Sequence, residues 1–403
     1  MKSLGLLAAG FLAATQCHAA AEDWYRWRGP NLNGISGESG WMTQWPAGGP
    51  KVLWTASVGT GFSSFSVHAG RVFTMGNAAD TDTVYCLDAN SGKTLWKHSY
   101  PCPLDPKYFE GGPGSTPTVD DGRVYTFGRK GQVFCLNETN GAVVWSRNVA
   151  TELGAEIPTW GFAGSPLIQD GLVILNVGEA GTALDKLTGK NAWMSAKSGA
   201  GYATAVPLPA PAKAVVIFAG KTVSAVENKT GALLWSYPWK TEYDVNAADP
   251  IVDGDRVFVS SGYNHGAAVI RAQGTQAKAV WENKNMRNQF NSSVLWKGHL
   301  YGVDEAELRC LAFDTGEVKW KFPQFGKGSL ILADGKIVGL GEKGVLYIAD
   351  ATPDGFKPIS QATVLNGKCW TTPVLSAGHI YCRNATGRVV CLDVGKQLAG
   401  STP

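Results

Sequence analysis

One unit recurs along almost the whole chain, and it dictates the architecture. Its clearest copy reads Val84-Tyr85-Cys86-Leu87-Asp88-Ala89-Asn90-Ser91-Gly92-Lys93-Thr94-Leu95-Trp96, an alternating strand, a tight turn on glycine and a strand that ends in tryptophan. The same frame returns around Leu136-Asn137 with Gly141 and Trp145, Leu184-Asp185 with Gly189 and Trp193, and Val226-Glu227 with Gly231 and Trp235. Looser copies run from Val269 through Gly274 to Trp281, from Leu311 through Gly316 to Trp320, and from Asp350 through Gly355 to Ile359, where the aromatic is lost. With Trp54 as the first mark, the interval is about 44 residues, the period of a module of several strands.

A hairpin precedes each copy, as in Pro117-Thr118-Val119-Asp120-Asp121-Gly122-Arg123-Val124-Tyr125 and Pro250-Ile251-Val252-Asp253-Gly254-Asp255-Arg256-Val257-Phe258. Alternating apolar residues between Asp, Asn and Gly turns are what antiparallel strands require, so each unit holds four strands. The last unit, Trp370 to Asp393, has three, and Lys51-Val52-Leu53-Trp54-Thr55 is an orphan fourth near the N-terminus. Joining the two predicts an all-β chain folded as an eight-bladed β-propeller of four-stranded antiparallel blades, closed by the N-terminal strand, with no exposed end to the ring. On this reading residues 51–397 are one propeller domain and residues 22–50 are an arm across the outside or one face of the disc.

Fifty glycines, 15 tryptophans and only 17% charged residues describe a turn-dense chain with a large apolar payload, which excludes disorder. A formal charge of +3 supplies no field for a phosphate backbone, so nucleic acid is excluded as a partner. Residues 1–21 have the Lys2 n-region, the apolar Leu4–Ala14 stretch and the small-residue end of a secretory signal, with cleavage after Ala19 or Ala21. Gln16 before Cys17 argues against lipidation. The chain is therefore expected to be exported, periplasmic or extracellular, with no transmembrane span after signal removal.

Seven cysteines remain. Cys86, Cys135, Cys310 and Cys391 each precede a leucine in equivalent strands and read as small buried hydrophobes, leaving Cys102, Cys369 and Cys382 for any disulfide. No Cys-x-x-Cys occurs, which removes zinc knuckles and thioredoxin chemistry. Gly92-Lys93-Thr94 and Gly220-Lys221-Thr222 lack the upstream glycine of a phosphate-binding loop. The sequons at Asn137 and Asn228 occupy the repeat's own turn, where the asparagine serves local hydrogen bonding. The histidines at 68, 98, 265, 299 and 379 show no ligand spacing, and no serine-hydrolase elbow appears.

Asp185-Lys186-Leu187-Thr188-Gly189-Lys190-Asn191-Ala192-Trp193 resembles the pyrroloquinoline-quinone repeat, and the segment Asp23 to Gly34 is similar to the leader of many secreted bacterial propellers of that type. The resemblance covers nearly all of the chain after residue 21. It implies that Trp54, Trp96, Trp145, Trp193, Trp235, Trp281 and Trp320 dock neighbouring blades. The family holds both quinoprotein dehydrogenases and non-enzymatic scaffolds such as the propeller subunit of the outer-membrane assembly machinery, so fold alone does not choose an activity.

The loops leading into each innermost strand converge on a ring axis and carry the candidate site. Phe62, Tyr108, Phe109, Trp160, Phe162, Tyr202, Phe290 and Trp370, with Arg287, Lys327 and Lys368, make an aromatic and basic funnel suited to a flat or anionic ligand or a peptide. Asp244, Asn246 and Asp249, with Glu110 and Asn291, form the one dense acid-amide cluster. In a dehydrogenase of this family Asp244 or Asp249 would be the catalytic base, Asp244 and Asn246 ligands of a calcium ion, and the quinone the hydride acceptor. The adjacent-cysteine cap of such enzymes is absent. Two functions stand: a non-catalytic envelope protein that binds a partner protein or small ligand in its funnel, and a quinone-dependent oxidation of an alcohol or sugar.

Overall fold

The computed structural model describes residues 23–395. The expected signal 1–21, with Cys17, lies outside them, as do residues 396 and 397. No helix among the described residues is long and apolar enough to cross a membrane.

The described residues form eight four-stranded antiparallel units in strict chain order. The first holds Ser66–His68, Arg71–Ala78, Thr81–Asp88 and Thr94–Pro101. Units two to seven repeat that meander, each starting with an innermost strand: Thr118–Asp120, Leu167–Gln169, Val206–Pro207, Ile251–Asp253, Val294–Trp296 and Ser329–Ala333. The eighth consists of Val374–Ser376, His379–Arg383 and Arg388–Asp393, completed by Lys51–Ser57 in antiparallel register, with Trp54 opposite Cys391 and Thr55 opposite Val390. The chain's head is thus the outer strand of its last unit. Innermost strands of successive units touch, as Ser66–His68 does Thr118–Asp120, so the units stand as blades around a common axis.

Every pairing of third and fourth strand carries a register shift just before the tryptophan position, for example between Val143 and Trp145. A bulge re-aims the side chain that follows it, and here it turns the indole onto the next blade. Trp54, Trp96, Trp145, Trp193, Trp281 and Trp320 each donate Nε1–H to a turn carbonyl of the following unit, at Ala89, Glu138, Lys186, Asn228, Phe313 and Thr352. Each of the first four lies against a turn glycine of that unit: a Cβ on Gly92, Gly141, Gly189 or Gly231 would meet the preceding blade's indole at 2.5–2.6 Å. The glycine and the tryptophan of one repeat therefore serve different seams.

Two seams depart from the pattern. Trp235 is buried but has no such carbonyl, and its blade is instead joined to the next by a parallel bridge, Ser236 to Gln276, which fuses the fourth and fifth blades into one eight-stranded sheet. In the seventh blade the residue at the tryptophan position is Ser360, opposite Ile348; Ile359, expected there, sits in the bulge. The leader fills that seam. Trp41 is buried in the core cluster that also holds Leu346, Ile348 and Leu392, Trp45 packs against that cluster, and the Trp45 backbone N–H donates to Ser360 Oγ.

Before reaching that seam the leader crosses the hub. The Trp24 and Tyr25 carbonyls accept from the Val67 and Val119 N–H groups, Gly34 O accepts from Leu332 N, and Ile35–Ser36 pairs in parallel with Leu332–Ala333. Glu38 then accepts from the Ala377 and Gly378 N–H groups at the last innermost hairpin. These contacts lie toward the exit ends of the innermost strands, opposite the loops that lead into them.

All seven cysteines from Cys86 to Cys391 are free and buried, so neither Cys102, Cys369 nor Cys382 enters a disulfide. Among the turns, Asn137 Oδ1 accepts from Thr139 N and Asn140 N, the local bonding expected of it.

Candidate functional site

Backbone N–H groups at the starts of the innermost strands are covered by their neighbours and must find partners inside the protein. They do so in a chain of bonds around the axis. Ser64 N donates to Thr116 Oγ1 (3.0 Å), Thr116 N to Ser165 Oγ (2.9 Å), Ser165 N to Thr204 Oγ1 (2.9 Å), Thr204 N to Asp249 Oδ1 (2.7 Å) and Asp249 N to Ser292 Oγ (2.9 Å). Ser329 and Thr372 hold the matching places in the last two units; the chain of bonds breaks at Ser329, whose buried Oγ has no hydrogen-bond partner, and Ser64 Oγ donates to Thr372 O. One member of this belt is a carboxylate where the others are hydroxyls.

That exception belongs to the leader. Trp27 Nε1 donates to Asp249 Oδ2 at 2.5 Å, Ser292 Oγ donates to the same oxygen, and Arg28 faces it at 3.8 Å while its own guanidinium reaches Ser293 O. Burial raises the Asp249 carboxyl above its ordinary value and lowers the Arg28 guanidinium, each opposed by the charge of the other. The pair pins the leader across the axis.

Above the belt the eight connecting loops enclose a cavity of about 930 Å³. Of the sequence candidates, Phe62, Tyr108, Phe109, Trp160, Phe162, Tyr202, Phe290, Asn291, Lys327 and Trp370 line it, with Asp249 at its base. Trp370 is the centre of one wall: Phe290 and Phe62 lie 4.5 and 5.7 Å from it between ring centroids, and Lys368 Nζ sits 4.2 Å above its ring. Lys368 also pairs with Glu110 at 2.7 Å, so these two candidates neutralise each other beside the wall. Trp160 and Tyr202 meet edge to face at 6.0 Å, and burial pushes the Tyr202 phenol up to about 12. Asn291 spends its amide N–H groups on the carbonyls of Lys327 and Gly328.

Three candidates stand elsewhere. Asn246 is 0% exposed, donates to Ala219 O and Gly220 O and accepts from Ser261 Oγ, which makes it a loop anchor beneath the wall. Arg287 forms a two-point pair with Asp304 away from the cavity. Asp244 is half-buried, 3.5 Å from Lys221, and off the cavity lining. A hard cation needs several oxygens converging on one point. Asn246 and Asp249 are committed to loop and leader, and Asp244 lies off the cavity lining. No group of three or more His, Cys, Asp or Glu among the described residues is disposed to hold a metal. The residues nominated for a calcium-quinone centre therefore do not fit one.

The sequence reading missed Trp27, Arg129, Tyr243 and Tyr263, all on the lining. Arg129 ties two loops together by donating to Leu104 O and Trp160 O, while Tyr243 and Tyr263 pair at 5.2 Å at the mouth. Tyr243 sits in a connecting loop and was open to the same argument as Tyr202. No spacing signals Trp27, whose partners lie far along the chain.

The family described as outer membrane protein assembly factor BamB matches residues 80–322. No curated protein matches the chain. Among solved structures, BamB from Moraxella catarrhalis is similar at 16% identity and a TM-score of 0.60, covering 87% of this chain and 99% of that one. Quinohemoprotein alcohol dehydrogenase from Comamonas testosteroni is similar at 13% identity and a TM-score of 0.71, covering 94% and 82%. The computationally designed protein Ika8 is similar at 13% identity and a TM-score of 0.64, covering 86% and 100%. At such identities the likeness is one of fold.

Proposed function

Because the chain belongs to the family of pyrroloquinoline-quinone-like propellers described as outer membrane protein assembly factor BamB, we propose that it is a non-catalytic, exported binding protein of the cell envelope whose funnel holds a ligand or partner. The observation that carries this reading is the fate of the funnel's one lining carboxylate: Asp249 is spent on Trp27, Arg28 and the belt. A general base must reach the proton it takes, and Asp249 already holds three donors. What remains on the walls is rigid aromatic surface with a few cations, the composition of a recognition site.

The test has two arms. Titration of the purified protein with pyrroloquinoline quinone and calcium, followed by absorbance and by dye reduction with alcohols and aldoses, should show no turnover. Saturable binding with turnover abolished in Asp244→Ala would overturn the reading in favour of the quinone-dependent oxidation. Affinity capture from envelope extracts should recover a ligand with the wild type and lose it with Trp160→Ala and Trp370→Ala. Undiminished capture by both variants would remove the funnel from the account.

A further inference from the structure

Resting on the funnel as the binding face, we propose that its occupant is an extended, acidic segment of a partner polypeptide with one apolar anchor side chain, and that the leader's Trp27 is the floor on which the anchor sits. Four observations converge. Trp27 lines the cavity from below, and its one polar atom is consumed by Asp249, so it offers a ring and no donor. The charge around the lining is lopsided: its one carboxylate, Asp249, is already balanced by Arg28, while Lys107 and Arg129 share with Lys130 the single carboxylate Asp105 at 2.9–3.8 Å, and Lys327 stands apart from them. Lys327 Nζ has an aromatic neighbour, Trp370 at 5.9 Å, and among the described residues no carboxylate within ion-pair distance, Glu342 being spent on the Lys327 backbone N–H and Trp370 Nε1.

The mouth is wider than the cavity. Tyr108, 98% exposed, and Tyr243, 52% exposed, carry the lining out to the rim on loops from different sides of the ring, so an occupant that covers both must extend across the mouth. Tyrosine, tryptophan and arginine around a concave centre are the residues that dominate protein interfaces. Finally, this hub already accepts extended chain on its other face, where innermost-strand N–H groups donate to Trp24 O, Tyr25 O and Gly34 O. A segment crossing the mouth from Tyr108 toward Tyr243 would set its anchor over Trp27, one flanking carboxylate beside Lys327 and another beside the three cations that share Asp105, complementing the excess positive charge there.

The experiment is selection of a random dodecapeptide phage library on the purified full chain, followed by affinity measurement of the synthetic consensus. An aromatic or large aliphatic residue flanked by aspartate or glutamate is expected. Binding should weaken with added salt, and by roughly tenfold or more in Lys327→Glu and in Trp27→Ala, with Trp27→Phe retaining most of it. Lys327→Glu alters a half-buried charge on the lining, outside the belt and the leader, so it decides the matter if Trp27→Ala loosens the fold. Absence of a consensus, a basic consensus, or affinity unchanged in Lys327→Glu would overturn the proposal. If Trp160→Ala and Trp370→Ala still abolish capture from envelope extracts in that event, the funnel stands and only its polypeptide occupant falls.

Discussion

Replacing Gly231 by alanine isolates what the seam between two blades is worth. Gly231 has φ +69°, and a Cβ there would lie 2.5 Å from Trp193 Cε3 and 2.6 Å from Cδ2, against the 3.5–4.0 Å of an ordinary carbon contact. The indole or the turn must move by about 1 Å, which costs about 1–3 kcal/mol as overpacking. It also strains the 2.8 Å bond from Trp193 Nε1 to Asn228 O, worth about 1 kcal/mol. Left-handed backbone adds about 1–2 kcal/mol for a residue with a side chain.

Gly274 provides the control, since it has φ +63° in the equivalent turn but nothing within 4 Å of the point where an added methyl would stand. Gly274→Ala should lose only the backbone part, about 1–2 kcal/mol, and Gly231→Ala about 3–6 kcal/mol. Urea unfolding followed by tryptophan fluorescence reads both. In a Trp193→Ala background the cost of Gly231→Ala should fall to that of Gly274→Ala, because the clash partner is gone. Equal losses for the two single variants, or an unchanged cost in that background, would refute the cross-blade reading of the repeat.

Three further outcomes are expected. Arg383, fully buried, donates to Gly59 O, Ser63 O, Thr74 Oγ1 and Met75 O across the closure between the last and first blades, so Arg383→Met should lose about 2–4 kcal/mol in the same assay; an unchanged midpoint would show that the closure does not depend on it. Burial raises the Asp82 carboxyl above its ordinary 3.8, so the folded chain holds that proton more tightly than the unfolded chain. Stability contributed by Asp82 should accordingly fall as pH rises from 3.8 through the raised value; unfolding midpoints between pH 4 and 7 should show this slope flattened in Asp82→Asn, and an identical slope would count against it. The seven thiols from Cys86 to Cys391 should resist iodoacetamide in the folded protein and all alkylate in urea without reductant, and a disulfide-linked peptide by mass spectrometry would contradict the structure.

The blade meander was legible because it is local: Asp88, Gly92 and Trp96 sit within nine residues and each has a conformational reason to be there. The same locality explains the slip at Ile359, since a bulge displaces register by one residue without leaving a mark in composition. The funnel walls were partly legible, as Phe62, Trp160 and Trp370 could be placed on converging loops by counting from each hairpin. Arg287 and Asn246 could not be sorted from them, because whether a loop side chain faces the axis or anchors its own loop depends on partners such as Asp304 and Ser261. Asp249 was visible as an acid but not as a member of a hydroxyl belt, and nothing periodic announces that Arg28 crosses the axis to meet it.

The leader's route sets an order on how the molecule can be made. Residues 24–57 emerge from the ribosome before any blade, yet their partners extend as far as Val394, so for most of synthesis Trp27 and Trp41 have nowhere to bury. The finished wheel is laced by its oldest segment only after its youngest has arrived. A cell that makes this protein must either shield those first aromatic residues from aggregation or keep translation and closure close together in time.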